Sequence, residues 1–146
     1  FATKITMLMD VLPILLYQMM FICVYALRVI GLNVLKTLAL FALFLGSSVA
    51  SDQIPGHIMN GSLSYAPAFV FLLGFVVWHY KNAVSEKFVL LIAAGAFALS
   101  LTFRSIDMAV CPHLQIGTHF LWHCLNGVVL YLTTRGFILS KKSKFF

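Results

Sequence analysis

The sequence predicts an all-α membrane protein, a polytopic bundle of five membrane-crossing helices, and three observations carry that expectation. Of the 146 residues, 62% are hydrophobic and only 10% charged, and the mean hydropathy is +1.00, far from the balance of a soluble domain. The apolar residues fall into five runs of about the 20 residues that cross a hydrocarbon core. The basic residues collect on alternate connections between those runs, as they do where Lys and Arg mark the cytoplasmic side.

In order, the runs are Ile5 to Leu27, Val34 to Ala50, Leu63 to His79, Phe88 to Phe103 and Gly117 to Leu139. The fourth is short for a span, so its flanking Lys87 and Arg104 are expected to snorkel to the two interfaces. The connections are Arg28 to Asn33, Ser51 to Ser62 with the turn pair Pro55-Gly56, Tyr80 to Lys87, and Arg104 to Ile116 with Pro112. Such brief links favour antiparallel neighbours, and the chain reads as one transmembrane domain over residues 1–146. It begins at Phe1 with no charged segment and cleavage site before the first run, so the expectation is a piece of a longer protein and not a signal peptide.

Charge sets the orientation and removes one class of function. Arg28, Lys36, Lys81, Lys87, Arg135, Lys141, Lys142 and Lys144 fall on one side, Lys4 and Arg104 on the other; the first side should be cytoplasmic. The net charge of +6 is thus accounted for by turns and the tail facing a membrane surface, and nucleic acid is not an expected partner. Cys23, Cys111 and Cys124 show neither CxxC nor paired spacing, so no thiolate metal site or disulfide framework follows from them.

The last run opens with Gly117-Thr118-His119-Phe120-Leu121-Trp122-His123. On a helix His119 and His123 lie one above the other and can aim one nitrogen each at a single point, and Asn126 and Thr133 extend the stripe. With the C-terminus inside, this pair sits in the outer leaflet. Asp10, within Met9-Asp10-Val11-Leu12-Pro13 of the first run, is expensive there: a charge at the centre of a membrane helix costs about 2.5–3.5 kcal/mol on insertion scales and faces the bundle interior with a partner. Both runs start from the same surface, so rise per residue puts Asp10 at the depth of the two histidines. Spacing alone leaves three uses open: a metal ligand set, a proton relay, or a hydrogen-bonded structural cluster.

Other polar residues have plainer readings. Ser47, Ser48, Ser64, Ser100, Gln18 and Asn126 are expected to serve as hydrogen-bonding glue between helices. His79, within Val77-Trp78-His79-Tyr80-Lys81, reads as an interfacial anchor, and His57 and His113 as solvated loop residues.

Four segments stand out together: Asp10-Val11-Leu12-Pro13-Ile14-Leu15, Asn60-Gly61-Ser62 with Leu63-Ser64-Tyr65-Ala66-Pro67-Ala68, Arg104-Ser105-Ile106-Asp107 with Cys111, and Gly117 to His123. In combination they resemble the ceramidase-like membrane hydrolases, bacterial relatives of alkaline ceramidase in a superfamily shared with the adiponectin-receptor type proteins. The likeness runs through essentially the whole chain and is most specific at the last helix. It implies a seven-helix fold whose helices three to seven are the runs seen here, with a zinc ion (Zn2+) held by His119, His123 and a further histidine just upstream of Phe1. It implies that Asp10 is the catalytic aspartate, that a serine lies upstream as well, and that Cys111 is a loop cysteine which in some relatives pairs with one near the N-terminus. The function so implied is zinc-dependent hydrolysis of the amide bond of ceramide-like lipids in a bacterial inner membrane. A zinc-containing lipid-responsive receptor or scaffold, and a metal-free transporter or proton-conducting bundle, are the alternatives. Oligomeric state is not legible.

Overall fold

The computed structural model describes residues 4–82, 85–113 and 117–142, the side chains of 4–8 and 141–142 excepted. Phe1, Leu114 to Ile116 and Lys144, which entered the topology argument, lie outside the described residues, as do the side chains of Lys4, Lys141 and Lys142. Five α-helices form among the described residues: α1 (Lys4–Tyr25), α2 (Val34–Asp52), α3 (Ala66–Asn82), α4 (Val89–Val110) and α5 (His119–Lys142). No strand occurs among the described residues. The chain forms two compact units, residues 1–43 and 44–146.

In the first unit, α1 runs through Pro13, whose missing N–H leaves one rung of the helix unmade. Tyr17, Phe21 and Tyr25 stack along one face at steps of four, with ring centroids 6.1 and 5.2 Å apart. The helix then widens into a π-helical stretch, Ala26–Ile30. It stops where Gly31 takes φ +81 and the N–H groups of Gly31 and Leu32 both donate to the Ala26 carbonyl at 3.0 Å, a left-handed stop that glycine adopts without steric cost. Asn33 starts α2: its Oδ1 accepts from the Lys36 N–H at 2.9 Å, the N-cap pattern.

In the second unit α4 packs against both α3 and α5. Leu72, Phe75, Val76, Val89, Leu90, Ala93, Ala94, Phe97 and Trp122 are among the unit's buried apolar residues. A Cβ on Gly136 would stand 3.0 Å from Val89 Cγ1 and 3.1 Å from Leu90 Cδ2, so α5 approaches α4 as closely as a small residue permits. Ser100 Oγ donates to Asn126 Oδ1 at 3.1 Å and to the Trp122 carbonyl at 3.3 Å. These two residues are interhelical glue as expected, whereas Ser47 and Ser64 bond only to carbonyls three residues back.

Among the described residues, four stretches are long and apolar enough to cross a membrane: Met9–Ile30, Val34–Asp52, Ile58–Asn82 and Val89–Val110. Large apolar side chains such as Leu35, Val70, Ile92 and Met108 are exposed along them, which is the surface a multi-pass membrane protein offers to lipid. The fifth helix forms over 24 residues, but His119, His123, Asn126, Thr133, Thr134 and Arg135 dilute its hydropathy.

Three expectations need correction. The fourth run is not short: α4 continues through Arg104 and Asp107 to Val110, because the Arg-Ser-Ile-Asp-Met sequence has no helix breaker before Pro112. Arg104 therefore does not snorkel outward. Its guanidinium carbon stands over the rings of Tyr65 and Trp122, 5.1 and 4.7 Å from their centroids. His79 is not an interfacial anchor but fully buried, with Nε2 3.3 Å from the Glu86 carbonyl and Nδ1 3.4 Å from Ser140 Oγ.

Candidate metal centre

The start of α5 is fixed by a carboxylate from α4. Asp107 Oδ1 accepts from the backbone N–H of Thr118 at 2.6 Å and of His119 at 2.9 Å, and from Thr118 Oγ1 at 3.3 Å. These donors are left over at any helix start, and a negative charge suits the positive end of the helix dipole. Thr118 Oγ1 also donates to the Phe103 carbonyl at 2.7 Å. Gly117 makes the turn at φ +65, and a Cβ there would meet Asp107 Oδ1 at 2.6 Å and Cys111 Sγ at 3.0 Å. Glycine is thus required twice, for its backbone angle and for the space.

From this anchored end, the first helical residue is His119, and one turn on is His123. Their Nε2 atoms are 3.2 Å apart and their rings meet edge to face at 4.9 Å. Between them in sequence, Trp122 is fully buried, its ring 5.0 Å from His119 and 4.3 Å from His123. His119 is half-buried and His123 exposed, so the pair lies at the margin of the unit with its ring backs against indole. Two imidazole nitrogens at this distance either share one proton or face one cation.

The metal reading passes a simple test of fit. Zinc-bound imidazole nitrogens lie about 2.0–2.1 Å from the ion, and at a tetrahedral angle two of them are about 3.3 Å apart. The observed separation is 3.2 Å. Further along the same helix, Asn126 and Thr133 are buried.

Asp10 lies on α1 in the first unit, exposed and three residues before Pro13. His57 and His113 are exposed, in a turn and just past the end of α4. Cys111 is exposed, with Sγ 3.9 Å from Asp107 Oδ1.

The sequence suggested no role for Asp107 or Gly117 and only an interfacial one for Arg104, although Asp107 and Gly117 fix the start of the histidine helix and Arg104 stacks on its Trp122. Gly117-Thr118 before the apolar run was a readable stop-and-cap signal; that the cap comes from eleven residues upstream, on another helix, was not. Compared with protein-family models, with curated proteins and with solved structures, the chain finds no match.

Proposed function

We propose that the protein is a zinc-dependent intramembrane hydrolase that cleaves the amide bond of ceramide-like lipids, with the fold of the ceramidase-like membrane hydrolases and the C-terminus in the cytoplasm of a bacterial cell. The observation that supports it most is the 3.2 Å separation of His119 and His123 Nε2, on a helix start held by Asp107. In this reading the two histidines are metal ligands, and a third protein ligand completes the set that catalytic zinc requires. Zinc, when bound, supplies Lewis-acid polarisation of a carbonyl and acidifies water.

The chain's own residues do the rest. Trp122 and Asp107 fix the imidazole rings and the helix end that carries them. Asp10 accepts the proton of the attacking water on its carboxylate and returns it to the nitrogen of the leaving amine. A carboxylate in an apolar helix is costly enough to be kept for use.

The same nitrogen separation suits a proton shared between two imidazoles, which would make the pair a relay in a metal-free bundle. Metal analysis separates the two readings. Purified protein should carry about one zinc per chain, lost in His119→Ala and in His123→Ala. Asp10→Asn should keep its zinc and lose roughly 10²–10⁴-fold in release of fatty acid from a short-chain ceramide. Zinc content unchanged in both histidine variants would move the metal elsewhere. Full turnover in Asp10→Asn would remove the proposed base, and zinc without hydrolysis in the parent protein would leave a receptor-like scaffold.

A further inference from the structure

We propose that Arg104 and Trp122 form a binding site for the anionic oxygens of an amphiphile head, a carboxylate or a phosphate, beside the histidine pair. Two buried donors carry the argument. Arg104 Nε and Trp122 Nε1 are both inaccessible to solvent and neither has a hydrogen-bond partner. Buried N–H groups are almost always paired, and leaving even one unpaired costs stability. Here two occur on residues that stack on each other, with the guanidinium carbon 4.7 Å from the indole centroid.

Chemistry fixes the kind of partner. Arg and the Trp indole are donors only, so whatever satisfies them must present acceptor oxygens. The guanidinium is a permanent cation, and among the described residues no carboxylate pairs with it; nearby Asp107 commits Oδ1 to the start of α5. Stacking on Tyr65 and Trp122 stabilises the charge through the face of the guanidinium, but leaves its in-plane N–H groups for an acceptor. An oxyanion with at least two oxygens answers both orphan donors and the charge at once.

Location narrows the ligand to an amphiphile. Arg104 is half-buried near the end of an apolar α4 whose flanking Leu99 and Ile106 are exposed. The long arginine stem can swing its head to admit the ligand, while an alkyl chain lies along those apolar residues. Asn60 Nδ2 donates to the Arg104 carbonyl at 2.9 Å and Ser105 Oγ donates to Ser62 Oγ at 2.8 Å, which hold the backbone of the site still while the head moves.

The test is calorimetric titration of the protein in neutral detergent micelles with dodecyl phosphate, laurate, dodecanol and inorganic phosphate. Saturable binding of the first two is expected, and in a Trp78→Phe background it should shift Trp122 emission. Arg104→Gln should weaken binding roughly ten- to hundredfold, the loss expected with a charge-assisted hydrogen bond. Arg104→Lys, which keeps the charge but not the planar fork, should bind with intermediate affinity and keeps the test valid if the Gln variant fails to fold. Trp122→Phe should weaken binding several-fold. Equal binding of dodecanol, saturation by inorganic phosphate alone, or unchanged affinity in Arg104→Lys and Trp122→Phe would overturn the assignment. The readout is binding and not hydrolysis, so it stands or falls apart from the zinc proposal.

Discussion

Replacing Asp107 should loosen the start of α5 in a graded way. One oxygen, Oδ1, serves two backbone N–H groups and one hydroxyl at 2.6, 2.9 and 3.3 Å. Asp107→Asn keeps an acceptor and loses the charge, which at a helix N-terminus is worth about 1 kcal/mol. Asp107→Ala loses both and leaves part-buried donors unpaired, so about 2–3 kcal/mol is expected. Gly117→Ala should cost about 1–2 kcal/mol for its φ of +65, and more for a Cβ placed 2.6 Å from that same oxygen. The two sites must therefore couple: with Asp107 already replaced by Ala, the 2.6 Å overlap is gone, and the backbone cost and the 3.0 Å approach to Cys111 Sγ remain. A double-mutant cycle should show about 1–2 kcal/mol of interaction, measured by unfolding in mixed SDS and dodecyl maltoside micelles followed by circular dichroism. A Gly117→Ala cost that is the same in both backgrounds would refute the geometry. So would Asp107→Ala within about 0.5 kcal/mol of the parent, the range of an inert surface change.

Two further predictions concern the other parts of the second unit. Gly136→Val should destabilise by about 1–3 kcal/mol, the usual cost of overpacking, because even a Cβ reaches Val89 and Leu90 at 3.0–3.1 Å; the same unfolding assay checks it, with Gly127→Val, where nothing lies within 4 Å, as the control. Glu86, held by the Arg135 guanidinium through Nε and Nη2, has its carboxyl below the usual carboxylate range because of those hydrogen bonds. A depressed folded value means that the pair's contribution is present above the unfolded pKa and is lost as pH falls through the folded one. Thermal melting should therefore weaken on acidification to a smaller degree in Glu86→Gln than in the parent, and the difference should shrink at high salt.

The sequence by itself determined that the chain is helical and built for a membrane. Twenty-residue apolar runs leave the backbone no other way to satisfy its polar groups in lipid, and the starts of α1 and α2 fall within a residue of the runs read from composition. It also determined that His119 and His123 share a helix face, since that follows from the helical repeat alone. Only the tertiary structure decided what holds that face in place. The cap of α5 comes from Asp107 on α4, and the guanidinium of Arg104 turns inward over Tyr65 and Trp122. His79 is buried between the Glu86 carbonyl and Ser140. In each case a polar group was read from its neighbours in sequence as belonging to a loop or an interface. Its actual partners lie on another helix or across a turn, and local hydropathy has no knowledge of them: it records the cost of placing a charge or imidazole in an apolar helix, while the distant donor, acceptor or ring that offsets that cost exists only once α3, α4 and α5 have packed.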